Sequence, residues 1–425
     1  MLCNHRILWK PVCVWVGLFA LMTFEHAYGT TYYTARAGSD SNSCSQATSP
    51  STPKLTINAG LRCLSAGDTL DIRGGTYPER LSSFAGTAFP AGTSWSNPVT
   101  IQGHPGESVV IKPEPGYDFL VVIFDGGAYT DSSYRQYLIF DNLTFDGSNG
   151  TNTVIKLDVG SRRIRIKNCK IIGNSGGNGI NWGGDTPATT TSREHEILNN
   201  EVYGNAGYGM YIGGFGNIID GNYVHDNYGY GLHQYGSGHT DFSNNILRNN
   251  IIQHNGHNNQ NPAGSCALLL SSGDNNVAYN NVILDHNGCG IQIYASASNA
   301  KAYNNTIVGN VAACINNNPG SSGAIIRNNI CYNNGSDITD AGSGATIDHN
   351  TTNAINPQFV NAAGADFHLQ SNSSMIDAGL ILSIVITDIA RISRPQGKGY
   401  DIGAYEYVGN QLPTPSKLRV ISTQQ

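Results

Sequence analysis

Charge is scarce in this chain. Asp, Glu, Lys and Arg make up only 13% of the 425 residues, and no run of lysine or arginine occurs. A partner with a phosphate backbone demands a basic stripe, so nucleic acid is excluded. No Gly-Lys-Ser/Thr phosphate loop and no nucleophile elbow are present, which leaves a nucleotide site unsupported. No Cys-x-x-Cys pair and no His/Cys group at zinc spacing occurs, and Arg193-Glu194-His195-Glu196 lacks a second histidine one helical turn away. Good helix formers are thinly spread. Glycine, at ~1 kcal/mol per helical position relative to alanine, and asparagine, which competes for the helical backbone, together exclude long helices and coiled coils. Past residue 24 no apolar run approaches the roughly 20 residues that span a bilayer as a helix.

What is abundant points the other way. The chain holds 51 glycines, 47 asparagines and 22 tyrosines, with 39% hydrophobic residues and a net charge of only -6. That supply of apolar surface with little self-repulsion argues for a folded core and against disorder. Residues 1–29 read as an export signal: His5, Arg6 and Lys10 precede an apolar run from Val12 to Phe24, and Ala27-Tyr28-Gly29 places small residues at the cleavage-determining positions. A secreted, cell-envelope or periplasmic destination follows.

Seven cysteines lie beyond that leader, at 44, 63, 169, 266, 289, 314 and 331. An exported chain can keep disulfides, and an odd number leaves one thiol free. Cys44 and Cys63 flank a Ser/Thr/Pro-rich stretch and are the expected pair. Cys266 and Cys289 hold equivalent repeat positions, as a disulfide or as two buried thiols; the partners of Cys169, Cys314 and Cys331 stay open.

From residue 138 the chain repeats one phrase: an apolar run, one or two asparagines, a second short apolar run, a second asparagine, then a glycine-punctuated strand. The first asparagine falls at 142, 168, 200, 222, 250, 281, 305, 329 and 350, and the second at 174, 205, 227, 255, 287, 310 and 334. A unit of 21 to 32 residues cannot bury its apolar side chains alone, so successive units must stack as parallel strands about 4.8 Å apart. Asparagine suits the corners because it tolerates left-handed backbone and can bond the equivalent amide one coil away. A leucine-rich repeat is the competing reading, disfavoured because Ile, Val and Tyr fill the strand positions. The expected fold is all-β, a single-stranded right-handed parallel β-helix solenoid with a short N-terminal capping helix, in which Ile57, Leu61 and Leu64 share a face that ends at Gly67. Phe359, Phe367 and Leu369 are expected to seal the far end. The division is 30–137 for cap and first coils, 138–353 for regular coils, 354–408 for the C-terminal coil and cap, and 409–425 for a linker or tail.

The repeat, with Tyr32-Tyr33, Ala66-Gly67-Asp68-Thr69-Leu70 and Arg73-Gly74-Gly75-Thr76-Tyr77 at one end and Met375-Ile376-Asp377-Ala378-Gly379, Arg394-Pro395 and Asp401-Ile402-Gly403-Ala404-Tyr405-Glu406 at the other, resembles right-handed parallel β-helix proteins of the pectate lyase-like superfamily. That superfamily includes polysaccharide lyases and alginate C5-epimerases. Tyr228-Gly229-Tyr230-Gly231-Leu232-His233 is similar to the Tyr-Gly-Phe-Asp-Pro-His motif of the epimerases, with Gly231 and Leu232 where the motif has Asp and Pro.

Strand alternation sends Ile180, Met210, Leu232, Leu268 and Ile291 inward and turns Lys156, Asn181, Tyr211, His233, Leu269 and Gln292 outward. A second outward column holds Asp158, Gly183, Gly213, Tyr235, Ser271 and Tyr294, with Asp185 and His239 on loops at the rim. Rings beside amides suit a sugar-binding face, since a pyranose offers C–H faces for stacking and hydroxyls for hydrogen bonds. The resemblance implies an extracellular uronate-containing polysaccharide as partner and removal of the uronate C5 proton as the reaction, by lyase or epimerase chemistry. Asn181 or Gln292 would bond the carboxylate, His233 would take the proton, and Tyr211 or Tyr235 would supply one; Lys156 is the other candidate base. Tyr294, Asp185 and His239 complete the binding set. Calcium is the one cofactor implied, through Asp158 with Asp125, Asp141 and Asp146. Asp226, His254 and His286 precede the second asparagine in three coils and form a further candidate cluster. The alternative is a non-catalytic surface, adhesive or structural protein on the same fold; in either case a monomer is expected.

Overall fold

A computed structural model describes residues 29–123, 135–158, 160–173, 176–182, 192–236, 242–256 and 265–409. The leader up to residue 28, Asp125, Asn174, Gly183, Asp185, His239 and the tail from 410 onward lie outside the described residues. Short strands, many of three residues, wind into three parallel sheets of twelve, ten and ten strands among the described residues. Apart from Thr31–Thr34, which pairs with the next strand in sequence, Thr69–Ile72, a strand in each of these sheets pairs with its counterpart one coil away and not with its sequence neighbour. The first sheet runs from Thr31–Thr34 to Thr346–Asp348, the second from Gly75–Tyr77 to Ile330–Tyr332, and the third from Leu81–Ser82 to Thr339–Asp340. The molecule is a parallel β-helix.

Period-2 alternation puts Ile155, Ile180, Met210, Leu232, Leu268 and Ile291 of the third sheet into one continuous core with Ile197 and Ile219 of the first and Val202 and Val224 of the second. The Gly-x strand openings have a steric cause. A Cβ on Gly209 would meet Val224 Cγ1 at 2.5 Å, and one on Gly231 would meet Ile252 Cγ2 at 2.5 Å. At this corner the chain must press against the side chain already filling the coil.

Three asparagine ladders clamp the corners. One runs Asn200, Asn222, Asn250, Asn281, Asn305, Asn329, Asn350, each amide donating to the next carbonyl oxygen at 2.8–3.0 Å. Asn142 and Asn168 are not its first members. They hold the left-handed corner position one place earlier (φ 54° and 53°), and Cys169 stands on the ladder, its N–H donating to Asn200 Oδ1. The second ladder joins Asn205 to Asn227 to Asn255, and Asn310 to Asn334 to Asn353. Between those two runs the ladder residue is His286, not Asn287, its N–H donating to Asn310 Oδ1. A third ladder, His195, Asn217, Asn245, Asn276, closes the corner from third to first sheet and is absent from the sequence reading.

At the N-terminal end the helix Ile57–Leu61, capped by Thr56 Oγ1 accepting from Ala59 N–H, lays Ile57 and Leu61 on the first coil. The helix is shorter than expected: Leu64 joins the same core from the turn beyond it. The other end departs from expectation. The antiparallel pair Phe359–Asn361 and Asp366–Leu369 does not seal the last coil. Phe359, Phe367, Leu369 and Met375 pack on the outer face of the second sheet against Val282, Leu284, Val308 and Ile330, and Leu382, Val385 and Tyr400 continue onto Val277, Tyr279 and Tyr303 of the first sheet. Those strands are apolar on both faces and need an outer cover, whereas inward-facing Ile347 of the last coil remains 38% exposed.

Three disulfides join Cys44 to Cys63, Cys266 to Cys289 and Cys314 to Cys331, and Cys169 is a buried free thiol. Two of them link successive coils. No helix among the described residues is long and apolar enough to cross a membrane.

Candidate functional site

The outer face of the third sheet carries its side chains in register. Lys156 pairs with Asn181, Asn181 with Tyr211, Tyr211 with His233, His233 with Leu269, and Leu269 with Gln292. Tyr211 and His233 therefore touch across adjacent coils, ring centroids 4.9 Å apart. Two further rings close on His233, both from the corner before the strand and both missed by a reading confined to strand positions. Tyr208 stacks on the imidazole at 4.5 Å, 27° from parallel, and Tyr230 stands tilted at 4.5 Å. Tyr235 covers another side at 5.3 Å. The Tyr-Gly repeat was the available signal. A Cβ on Gly229 would strike Tyr208 Cδ1 at 2.5 Å, so the glycine of one coil makes room for the tyrosine of the coil before it.

Four tyrosines thus box one histidine, leaving it 7% exposed. Burial alone, with no neighbouring charge contributing, pushes the His233 pKa down to about 3. The imidazole is neutral at physiological pH. Its Nδ1 is buried without a hydrogen-bond partner, which leaves Nε2 for a ligand. Burial raises the Tyr208 phenol above its ordinary value and Tyr230 to about 12, so both stay protonated.

The remaining candidates spread along the face. Lys156 Nζ lies 3.0 Å from Asp158 Oδ2 and 5.2 Å above the Phe119 ring. Asn181 is half-buried between Lys156 and Tyr211, Gln292 donates to Asn318 Oδ1 at 3.1 Å, and Tyr294 is 39% exposed. Ser271, expected to point outward, is fully buried, its N–H donating to Gln234 Oε1 at 2.8 Å. Leu269, expected to face outward, is buried as well.

The expected aspartate cluster does not assemble. Asp141 ends a first-sheet strand and pairs with Lys167 at 2.9 Å, Asp146 ends a second-sheet strand and pairs with Lys112 at 2.9 Å, and Asp158 follows a third-sheet strand beside Lys156. Three different sheets separate them, and no group of three His, Cys, Asp or Glu among the described residues could hold a metal ion. The other proposed cluster also regroups. Asp226 bridges His225 Nδ1 at 2.7 Å and His254 Nδ1 at 2.5 Å, with His225 stacked between Tyr203 and Tyr223, while His286 sits apart on its ladder and bonds the Ser265 carbonyl through Nε2.

Comparison with known proteins bears on the fold. The sequence family described as the right handed beta helix region matches residues 188–352. No curated protein sequence matches the chain. Among solved structures, pectate lyase Pel9A superposes with a TM-score of 0.64 at 15% identity, over 88% of this chain and 96% of that one. A structure titled glycoside hydrolase superposes at 0.52 and 10% identity over 81% and 99% of the two chains, and ORF18 of Geobacillus virus E2 at 0.50 and 13% over 67% and 52%. The fold is the right-handed parallel β-helix of the pectate lyase-like kind.

Proposed function

We propose that this protein is exported, binds an extracellular polysaccharide along the outer face of the third sheet, and removes the C5 proton of a uronate unit there, as a lyase or an epimerase. The observation that carries this reading is the tyrosine box around His233. It offers ring faces for stacking, phenols for hydrogen bonding and a neutral imidazole able to accept a proton, all within one sugar's reach. The likeness to pectate lyase Pel9A supports a uronate polymer, and three disulfides support an oxidising compartment.

In this proposal His233 is the base, Tyr211 or Tyr235 the proton donor, and Asn181 or Gln292, two coils to either side of His233, bonds the uronate carboxyl group. Lys156, held by Asp158, contacts the polymer farther along, with Tyr294 at the opposite end. Asp185 and His239 keep their assignment to the rim as proposals. No step is routed through calcium, and the protein acts as a monomer.

The test is incubation with pectate, alginate and other uronate polymers, watching for unsaturated products in the ultraviolet and C5 inversion by proton NMR. Turnover should fall by about a hundredfold or more in His233→Ala, the scale of a lost general base, with the thermal midpoint held. Unchanged turnover removes His233 from the role. One observation favours a second reading, a non-catalytic adhesive face: an imidazole with its pKa pushed down to about 3 is a weak base. Glycan binding with no product from any polymer selects that reading.

A further inference from the structure

The tyrosine box contains no charge, and its position relative to the protein's cations has a chemical consequence for the sugar it can accept. The nearest cation on the same column is Lys156, three coils away from His233 through Asn181 and Tyr211. Three rungs amount to about 14 Å. That lysine is itself paired with Asp158. Burial alone sets the His233 titration, with no charged neighbour contributing. The segments 124–134, 183–191, 237–241 and 257–264, which lead into or out of the third sheet, carry aspartate and histidine but no lysine or arginine. No described carboxylate cluster could bring a metal ion to the box.

A free uronate fits this site poorly. Its carboxylate would lie desolvated among tyrosine rings with neutral amides and phenols to bond it and no cation to balance its charge, and removing C5–H would add a second negative charge to the same group. An ester removes both difficulties. It enters uncharged, its alkyl group finds apolar ring faces, and the carbanion formed at C5 delocalises into the ester carbonyl as a single charge that Asn181 and the phenols can bond. A weak base is then sufficient, because the proton next to an ester is more acidic than the one next to a carboxylate.

We propose that the subsite at His233 selects a uronate whose carboxyl group is esterified. The inference rests on the uronate reading above and narrows it. In the lyase form, Nε2 of His233 takes the C5 proton and the electron pair of the C5–H bond becomes the C4=C5 double bond. The C4–O4 bond then breaks, its electron pair leaving with O4, which takes a proton from the Tyr211 or Tyr235 phenol. The imidazolium returns its proton to the phenolate, so the site is restored without oxidant or co-reactant.

The experiment compares highly methyl-esterified pectin with the same pectin after saponification, and alginate propylene glycol ester with alginate, each with EDTA and with added Ca²⁺. Unsaturated or C5-inverted product should form on the ester at least about tenfold faster than on its acid, as burial of one unneutralised charge requires, and EDTA should not change the rate. A preference for the saponified polymers, or a rate that depends on Ca²⁺, overturns the inference and leaves the uronate reading standing. No product from either member of either pair overturns both. A second measurement uses Asn181→Lys, which brings a cation one coil nearer than Lys156, two coils from His233, and should shift the preference toward the acid form. An unshifted ratio in a folded variant counts against charge as the discriminator.

Discussion

Asn250 makes four hydrogen bonds with one side-chain amide. Its nitrogen donates to Asn281 Oδ1 and the Ile219 carbonyl, and its oxygen accepts from the backbone and side-chain nitrogens of Asn222. All of this is buried. Asn250→Ala leaves donors on one neighbouring coil and acceptors on the others without partners. At 1–3 kcal/mol for each group left unmade, the expected loss is about 3 kcal/mol or more by urea unfolding; a loss within experimental scatter of zero would mean that water replaces the amide. Asp226 offers a test of a different kind. Its hydrogen bonds with His225 and His254 hold its pKa below the ordinary carboxylate value, although burial opposes them, and the hydrogen bond to Asp226 raises that of His254. The groups facing this pair include Glu201, reached by His225 Nε2 at 3.5 Å, and Asp285 beside His254. A depressed carboxylate stabilises above its unfolded pKa and loses that contribution as pH falls. A raised histidine stabilises fully below its unfolded pKa and loses it as pH climbs through the folded value. The two overlap between roughly pH 4 and 6.5. Asp226→Asn should lower the thermal midpoint more at pH 5 than at pH 8.5, and an equal loss at both would remove the ion pair from the account.

The coils were legible because two periods coincide in them. Alternation put Ile180, Met210 and Leu232 inside, and the recurring asparagines marked the corners; both are properties of local sequence that stacking leaves unchanged. The error lay in assigning which asparagine climbs the ladder. Where two occur together, as at Asn249 and Asn250 or Asn280 and Asn281, the first takes the left-handed corner and the second the ladder. At Asn168 the single asparagine takes the corner, because a left-handed backbone tolerates few other residues, and Cys169 fills the ladder place; where Gly221 or His349 takes the left-handed corner, the single asparagine, Asn222 or Asn350, stays on the ladder. The third ladder follows connections of very different length and offered no fixed spacing. At the site, Tyr211 beside His233 followed from strand register alone. Tyr208 and Tyr230 did not, since they stand at corners where no alternation applies, and the depressed His233 pKa exists only when rings from neighbouring coils meet around it.

Stacked coils have open sides as well as open ends, and the C-terminal segment covers the sides. It starts against Asn328, whose amide donates to the Leu380 carbonyl, passes Asn280, which bonds the Thr387 carbonyl, and reaches Asp220, which takes Arg391 at 2.7 Å. It therefore runs back along the first sheet toward the N-terminal coils. One buried ion pair holds the segment to itself. Arg394, fully buried, pairs with Glu406 and donates to the Asp401 and Gly403 carbonyls, and burial lowers its pKa. Glu406→Gln keeps the shape and leaves that guanidinium without its counterion, a loss of about 3–5 kcal/mol. Phe367→Ala removes a fully buried ring from the same segment at a similar cost of about 3–5 kcal/mol. The coils keep their own ladders and core in both variants, so the segment should open before the solenoid does. Calorimetry is expected to resolve a new low-temperature transition, with protease cleavage appearing first between residues 370 and 409 and the coil transition nearly unmoved. If both variants unfold in one transition shifted as a whole, the cover and the coils form a single cooperative unit, and the outer apolar face of the second sheet is as necessary to the solenoid as its interior.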